Sequence, residues 1–246
     1  MKKTLINNKW KLILPDHRAA RTDWNEWEAP RLGAISDALT EFIKENKRKP
    51  IIFDVGAEEG DFPAVFSLIG ADVVLFEPNP RVWPNIRVIW EANKLPKPLG
   101  YFVGFASEST NEKPEQIEDI INQPEREGWP ECAYGEVIGD HGFRNVSERL
   151  HDTPSIKIDD FIETRGIKPD FMTIDVEGSE LHVLKGAEKT LRENDLTVFV
   201  SIHPEFMFDH YKLYEFDLHS FMKALGYYPT HIAYDHEHHY IFKKQK

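Results

Sequence analysis

The chain reads Ile51-Ile52-Phe53-Asp54-Val55-Gly56-Ala57-Glu58-Glu59-Gly60 where an apolar run meets a pair of glycines. An apolar run that ends in an acid and a Gly-x-x-x-Gly turn predicts a strand, a tight turn and the start of a helix. A second apolar run, 73–76, ends in Glu77. This layout is typical of a nucleoside-binding Rossmann-like unit, because the glycines let the backbone pass close under a ligand and the second acid can accept hydrogen bonds from ribose hydroxyls.

The charge of the turn bears on which nucleoside binds. A dinucleotide places its pyrophosphate against bare backbone amides at a helix N-terminus, and Glu58 and Glu59 would repel phosphate there. S-adenosylmethionine has no phosphate and carries a positive sulfonium, so the turn favours this cofactor over NAD. The alternative interpretation is that the two glutamates only complement the dipole of the following helix.

A second block lies further along the chain. The sequence Asp175-Val176-Glu177-Gly178-Ser179-Glu180 follows the run 171–174 and is continued by Leu184-Lys185-Gly186-Ala187. With the glycine turn and Phe76-Glu77-Pro78, this block resembles the FkbM-type S-adenosylmethionine-dependent methyltransferases over roughly residues 50–205. The resemblance implies an α/β, Rossmann-like class I methyltransferase fold, with a mostly parallel seven-stranded sheet and an antiparallel C-terminal hairpin. It also implies methyl transfer to a hydroxyl, with a sugar or glycan as acceptor.

The chain departs from that family pattern at two points. Glu58 stands where the family often has asparagine, which bears on the cofactor contacts. Ile202-His203-Pro204-Glu205 stands where the fifth strand of the family often ends in a glutamate, which bears on the catalytic base.

The resemblance and the two strand ends together predict the cofactor-binding residues. They lie in the glycine turn, after the second strand and at the end of the third strand: Asp54, Gly56, Ala57, Gly60, Glu77, Pro78, Asn79, Phe105 and Ala106.

Three residues at the ends of the fourth and fifth core strands are predicted to face the acceptor: Asp175, Glu177 and His203. An aliphatic hydroxyl is a weak nucleophile, so a positioned base would help its methylation. Histidine titrates near neutrality and suits that role. The alternative for His203 is a histidine that is only hydrogen-bonded at a strand end.

A divalent metal ion is a second way to activate the hydroxyl. Asp175, Glu177 and His203 could supply mixed oxygen and nitrogen ligands to such an ion. The chain also clusters histidines at 236, 238 and 239, and the alternation of a hairpin predicts the first two on one face and the third on the other.

Length and spacing predict a single α/β domain with an extension. Residues 1–49 form an N-terminal extension that is irregular to residue 32 and then helical, and residues 50–246 form the Rossmann-like domain. Residues 107–155 interrupt the alternation of strands and helices, and we expect a flap on the substrate side there. Trp129 within this insertion is a candidate for stacking on a sugar face.

Composition excludes several classes of partner. A formal charge of −12 argues against binding to bare nucleic-acid backbone, which requires clustered Lys and Arg. No apolar stretch is long enough for a membrane span or a signal peptide. The single Cys132 cannot form an internal disulfide, which is consistent with a reducing compartment, so we expect a cytoplasmic protein. The acceptor is expected to be a small molecule or a glycan. The sequence leaves the oligomeric state open.

The hydrophobic pattern predicts the bounds of the core elements. Strands are predicted at 51–55, 72–76, 100–105, 170–175 and 197–202, helices at 61–69, 81–93, 179–193 and 214–225, and a strand pair between 228 and 243.

Two other functions remain open on the residues alone. An NAD-dependent sugar-modifying oxidoreductase can use the same strand–turn–helix unit, although the chain lacks a Gly-x-Gly-x-x-Gly and a Tyr-x-x-x-Lys pair. A non-catalytic module that binds a cofactor or glycan could keep the fold without turnover.

Overall fold

The computed structural model describes residues 1–111, 123–139 and 153–245. Its helices and strands alternate through most of this length, with a strand hairpin at each end. In chain order they are β1 (Lys2–Ile6), β2 (Trp10–Leu14), α1 (Asp16–Ala19), α2 (Ala29–Asn46), β3 (Ile51–Val55), α3 (Asp61–Ile69), β4 (Asp72–Phe76), α4 (Trp83–Asn93), β5 (Gly100–Phe102), β6 (Phe105–Ala106), β7 (Glu125–Arg126), β8 (Trp129–Pro130), β9 (Ser155–Ile156), α5 (Ile158–Arg165), β10 (Phe171–Ile174), α6 (Glu180–Gly186), α7 (Glu188–Glu193), β11 (Thr197–Ile202), α8 (Pro204–Tyr211), α9 (Glu215–Ala224), β12 (Tyr227–Tyr234) and β13 (His238–Lys244).

A seven-stranded sheet carries the fold. Its spatial order is β12-β13-β11-β10-β3-β4-β5. The five strands from β11 to β5 run parallel, whereas β13 is antiparallel to both β11 and β12. The prediction of a mostly parallel seven-stranded sheet with an antiparallel C-terminal hairpin is confirmed. The strand order reverses between β3 and β10, and ligands of open α/β sheets bind at such a switch point.

Both faces of the sheet are covered, so its central strands are mostly apolar, with Asp54 of β3 and Thr173 of β10 as buried polar exceptions. On one face Phe53, Phe76 and Met172 pack against Phe161 of α5 and against α6. On the other face the core includes side chains from α2, α3 and α4 and from the N-terminal segment, namely Ile6, Leu12, Leu14, Trp24, Leu32, Val65, Trp83 and Trp90. The N-terminal segment is therefore part of the core and fixes one side of the sheet.

The structure differs from the sequence-based expectation in that segment. The predicted irregular stretch 1–32 contains the hairpin β1–β2, in which Ile6 pairs with Trp10. The turn places Asn7 and Asn8 at positive φ values of 48° and 50°, which asparagine tolerates better than most residues.

Two predicted elements are each divided into two. The strand predicted at 100–105 ends at Phe102, where its pairing with β4 ends, and resumes as β6, which pairs with β9 instead. The helix predicted at 179–193 becomes α6 and α7, separated by Ala187.

The insertion 107–155 is partly core and partly cavity wall. Trp129 is buried, with its ring centroid 6.1 Å from that of Trp90, so the proposal that it stacks on a sugar is wrong. The segments 112–122 and 140–152 lie outside the described residues, and with them about half of the predicted flap. Across the part of the chain that the structure describes, no helix has both the length and the apolar character required to cross a membrane.

Candidate active site

A cavity of about 810 Å³ opens at the carboxyl ends of β3, β4, β10 and β11. The residues of the glycine turn and the strand-end acids come together at its wall. Those predicted site residues that line it are Asp54, Gly56, Glu77, Pro78, Asn79, Phe105, Ala106, Asp175 and Glu177. Ala57 and Gly60 lie behind the turn instead, where Ala57 is part of the core and Gly60 faces Ile86 and Trp90.

Glu77 is buried directly after β4. Its carboxylate accepts hydrogen bonds from the backbone amides of Glu58, at 2.9 Å, and of Asn79, at 2.7 Å. Burial raises the pKa of Glu77 to about 8, although both amide contacts act in the opposite direction. The carboxylate has lone pairs that these amides do not use, so it can also accept hydrogen bonds from a ligand in the cavity.

Asp54 and Gly56 shape the floor of the cavity. Burial raises the pKa of Asp54 to about 7, although the hydroxyl of Thr173 on β10 donates a hydrogen bond to this carboxyl. Gly56 has a φ of +91°, and a Cβ there would lie 1.8 Å from the carbonyl oxygen of Asp175. The absence of a side chain at Gly56 therefore lets the ends of β3 and β10 approach each other at the switch point.

The two glutamates of the turn are neutralised by the N-terminal segment. Arg18 is buried and donates two hydrogen bonds to Glu58, both at 2.9 Å, and two to Asp61, at 2.7 and 3.2 Å. Glu59 points away from the cavity and accepts a hydrogen bond from Asn85, at 2.7 Å, while the ring of His17 contacts the same oxygen. The expected repulsion of phosphate by these two acids is accordingly weakened, and the charge of the turn alone no longer separates the candidate cofactors.

Asp175 follows β10 and is held by an arginine from α2. The guanidinium of Arg31 lies 2.6 Å from the Asp175 carboxylate and donates a further hydrogen bond to the Ser201 hydroxyl at 2.7 Å. Burial would raise the pKa of Asp175, but the charges of Arg31 and His203 keep it below its ordinary value. Asp175 is thus an ionised, fixed hydrogen-bond acceptor at neutral pH.

His203 follows β11 and is 4% exposed. Its Nδ1 atom lies 2.7 Å from the buried carboxylate of Glu180, and its Nε2 atom lies 3.1 Å from Glu237. Burial alone would lower the pKa of His203, but the carboxylates of Glu180, Glu237 and Asp175 raise it to about 11. His203 is therefore protonated at neutral pH in this arrangement and does not supply the free base that its ordinary pKa suggests.

His203 does not itself line the cavity, but it contacts residues that do. Its Nε2 atom lies 3.7 Å from Asp175, which lines the cavity wall, and 3.6 Å from Glu177, whose side chain is 68% exposed. The predicted trio thus converges on one point. The ligand atoms that cluster most closely, however, belong to Asp175, His203 and Glu237, so Glu237 replaces Glu177 in the predicted metal-ligand set.

The three C-terminal histidines, His236, His238 and His239, are not distributed over the two faces of the hairpin as predicted. His236 and His239 both line the cavity, whereas His238 pairs with Glu215 of α9 at 2.7 Å. The reason is that His236 lies in the turn before β13 and does not follow the alternation of the strand.

Several residues of the site have no signal in the sequence that identifies them. Arg18 and Arg31 lie in a segment without a motif, and their roles depend on tertiary packing. Glu237 lies among the histidines 236–239, but the pattern draws attention to the imidazoles and not to the carboxylate. Glu180 does stand in the family motif block, but an acid in the first turn of a helix is common, and its buried contact with His203 is visible only in the structure.

Known proteins resemble the chain in sequence. The family model described as the methyltransferase FkbM domain matches residues 54–229. A curated relative, the hexuronic acid methyltransferase AglP of Haloferax volcanii, is 29% identical over 182 residues, which cover 72% of this chain and 66% of the relative. The chain thus matches about two thirds of the length of that relative.

Solved structures resemble it in fold. The structure of monomeric WbdD has a TM-score of 0.50 and 13% identity, with 91% of this chain and 42% of that chain covered. The methyltransferase FkbM from Methylobacillus flagellatus KT has a TM-score of 0.48 and 18% identity, with 79% and 43% covered. At 13% identity the likeness to WbdD concerns the fold alone.

Proposed function

The chain belongs to the FkbM methyltransferase family, whose model matches residues 54–229, and from this premise we propose that it transfers a methyl group from S-adenosylmethionine to a hydroxyl of a sugar or glycan. The observation that carries the proposal is the convergence of the family motif on one cavity. Glu77, from the first half of the motif, and Asp175, from the second half, both line its wall.

The cavity suits S-adenosylmethionine in size and in charge. Small-molecule sites typically enclose about 300–1,000 Å³, and this cavity encloses about 810 Å³. The ionised carboxylate of Asp175 lines it beside the carboxyl groups of Asp54, Glu77 and Glu177. This favours a cationic ligand, because a positive charge nearby also lowers the pKa of such carboxyls. When bound, the cofactor supplies an electrophilic methyl group on a positively charged sulfur.

We assign the holding of the cofactor to the residues at the wall. Glu77 has the free lone pairs to accept hydrogen bonds from ribose hydroxyls, and Pro78, Asn79, Phe105 and Ala106 continue the same wall. Ala57 and Gly60 support the turn from behind and need not touch the ligand.

For this reaction the protein has to align the acceptor hydroxyl with the methyl group and to accept the proton of that hydroxyl. Methyl transfer is a direct displacement, so the acceptor oxygen must be held in line with the methyl group. We propose that Asp175, fixed by Arg31, orients the acceptor hydroxyl, and that the exposed carboxylate of Glu177 receives its proton. His203 then acts as a positioning residue that keeps the carboxylates of Asp175 and Glu237 in place.

A sugar acceptor fits the opening of the cavity. Trp27 and Tyr211 line the cavity and keep 37% and 43% of their surface exposed, so they offer flat apolar faces to a sugar ring. The Haloferax volcanii relative is named for hexuronic acid, which makes glycans that contain hexuronic acid the first acceptors to test.

Titration calorimetry with S-adenosylmethionine, S-adenosylhomocysteine and NAD tests the cofactor. We expect the first two to bind with one site per chain and NAD to give no heat of binding. Tight binding of NAD without a response to either sulfur nucleoside would support the oxidoreductase and overturn the proposal.

Transfer of a labelled methyl group to a panel of glycans tests turnover. The panel contains uronic acids, neutral sugars and uronic acids whose hydroxyls are blocked, and product is identified by mass spectrometry. We expect a mass increase of one methylene on a free hydroxyl. A protein that binds the cofactor but methylates nothing in the panel would instead be a non-catalytic binding module.

A further inference from the structure

We propose that Asp175, His203 and Glu237 form a binding site for one divalent metal ion at the acceptor side of the cavity. The site joins the ends of β10 and β11 to the turn of the C-terminal hairpin. Its role rests on the proposed methyl transfer, whereas its existence rests on the contacts of these three side chains.

The three side chains have the spacing of a metal-ligand set. One potential ligand atom from each lies within 4.8 Å of the others. The Nε2 atom of His203 is 3.1 Å from a Glu237 oxygen and 3.7 Å from an Asp175 oxygen. Oxygen and nitrogen ligands bind divalent ions at about 2.0–2.2 Å, so neighbouring ligands stand roughly 3–4 Å apart around an ion.

Two of the three side chains are buried with an atom that makes no hydrogen bond. His203 and Glu237 are 4% and 5% exposed. The Nε2 atom of His203 and the Oε2 atom of Glu237 have no hydrogen-bond partner among the described residues. Buried polar atoms are normally satisfied, and an exception calls for an explanation such as an ion.

The other nitrogen of His203 is placed as in a metal-bound histidine. Its Nδ1 atom lies 2.7 Å from the carboxylate of Glu180, which is fully buried and also accepts the Gly178 amide at 2.9 Å. Histidines that bind metals almost always donate their second N–H to a carboxylate or carbonyl, which fixes the tautomer and directs the free nitrogen at the ion. Glu180 therefore orients His203 toward the centre of the cluster, where an ion would replace the proton that Nε2 carries in the metal-free protein and release it to solvent.

The balance of charge also favours a cation. Four carboxylates, those of Asp175, Glu177, Glu180 and Glu237, come within 3.7 Å of the ring of His203. An imidazole offers two N–H groups at most, so it cannot satisfy four acids. Arg31 adds contacts with Asp175, at 2.6 Å, and with Glu237, at 3.7 Å, and His236 lies 2.9 Å from Glu237. Glu177 and Glu180 make no ion pair with Arg31 among the described residues. A divalent ion would offset the negative charge that remains.

The ligand types indicate the class of ion. Two carboxylates and one imidazole suit Mn²⁺, Fe²⁺ or Zn²⁺, whereas Ca²⁺ prefers ligand sets made of oxygen atoms alone. Three protein ligands also leave coordination positions open toward the cavity. An ion there would stabilise negative charge on the acceptor oxygen as its proton passes to Glu177.

Binding of Mn²⁺ to chelator-treated wild-type protein tests the site directly. The chelator is removed by dialysis, and Mn²⁺ is titrated by calorimetry and by the electron paramagnetic resonance signal of the free ion. We expect one Mn²⁺ per chain and a higher thermal midpoint with the ion present. Absence of stoichiometric binding with both Mn²⁺ and Zn²⁺ would overturn the proposal without reference to any variant.

Variants test which residues hold the ion. Asp175→Asn and Glu237→Gln each change a proposed ligand and should weaken Mn²⁺ binding at least tenfold. Glu180→Gln changes the residue that orients His203 and should weaken Mn²⁺ binding by about 10–100-fold. Glu205→Gln removes an exposed carboxylate two residues after His203 and is the matched control, with unchanged affinity expected. Folded Asp175→Asn and Glu237→Gln proteins that bind Mn²⁺ like wild type would refute the assignment.

The same chelator-treated protein separates this proposal from the proposed function. Binding of S-adenosylmethionine without stoichiometric binding of Mn²⁺ or Zn²⁺ would refute the metal site and leave the methyltransferase intact. Stoichiometric binding of Mn²⁺ without binding of S-adenosylmethionine would support the metal site and refute the cofactor assignment.

Discussion

Glu77 shows how one buried acid can combine structure and binding. Its carboxylate already holds the glycine turn through the amide of Glu58 and begins the next loop through the amide of Asn79. A ribose that donates hydrogen bonds to the same carboxylate would bind to a group whose position the backbone has already set.

Replacement of Glu77 by alanine tests this arrangement. In calorimetry above the pKa of Glu77, where its carboxylate is ionised, hydrogen bonds to this charged group contribute about 1.5–3 kcal/mol. We therefore expect the dissociation constant for S-adenosylmethionine to rise roughly tenfold or more under that condition. Glu163→Ala, at an exposed position on α5, is the control and should bind as wild type does. A folded Glu77→Ala protein with unchanged affinity would assign Glu77 to the turn alone.

Arg31 and Asp175 form the second critical pair, 2.6 Å apart. The pair is partly buried, since 12% and 27% of the two side chains are exposed. Removing one partner of a fully buried ion pair costs about 3–5 kcal/mol, because the other charge is left uncompensated. Arg31→Ala should therefore lower the free energy of unfolding by less than this amount in chelator-treated protein.

A double-mutant cycle isolates the pair. Asp175→Asn combined with Arg31→Ala should be less destabilised than the sum of the single changes, since neither charge is then left alone. Purely additive changes in denaturant unfolding would mean that Arg31 stabilises the protein through its packing on Phe62 instead, where its guanidinium lies 4.8 Å from the ring centroid.

At the scale of elements, the glycine turn depends on the close approach of β3 and β10. Gly56 and Gly166 both have positive φ values, +91° and +68°, but a Cβ at Gly166 would meet no atom within 4 Å. Gly166→Ala should cost about 1–2 kcal/mol for the left-handed backbone alone. Gly56→Ala adds a steric clash with the Asp175 carbonyl, which should lower the free energy of unfolding by about 1–3 kcal/mol more.

Chemical denaturation of the two glycine variants measures this difference. Equal losses of stability would mean that the ends of β3 and β10 separate without penalty, and the turn would then be held by its hydrogen bonds only.

The core strands could be predicted because burial on both faces leaves a continuous apolar run. β3, β4 and β11 have the predicted bounds. The N-terminal hairpin lies in a segment predicted to be irregular, although Trp10, Leu12 and Leu14 alternate with other residues and two asparagines precede them. That signal is short, and the hairpin is stabilised by packing of β2 against α3 and α4.

The strand-end acids of the site could be predicted as well, because parallel strands end at one edge of the sheet. Their partners could not. Arg31 is separated from Asp175 by 144 positions, and Glu237 reaches His203 from the hairpin turn. Neither contact has a periodic pattern or a motif, so both depend on how distant segments pack.

For the molecule as a whole, the raised pKa of Glu77 links stability to pH. Its folded pKa is about 8 against an ordinary value of 4.5, so the folded state binds a proton that the unfolded state has lost within this window. Stability due to this group is then highest below pH 4.5 and falls as pH rises toward 8.

Comparison with Glu77→Gln isolates that effect. Between pH 5 and 8, wild type without cofactor should lose about 1.4 kcal/mol of unfolding free energy per pH unit relative to the variant. Denaturant unfolding at several pH values measures the difference. Parallel stability curves for the two proteins would show that Glu77 is ionised throughout.

Several partners of the strand-end acids lie outside the family-matched region, and this has a consequence for how such enzymes diverge. Arg18 and Arg31 precede the family-matched region 54–229, and Glu237 follows it. Two chains can therefore share every signature residue and still differ in the charge that their strand-end acids carry. Preference for one acceptor over another can change through mutations in the flanks, while the central motif stays constant and gives no sign of it.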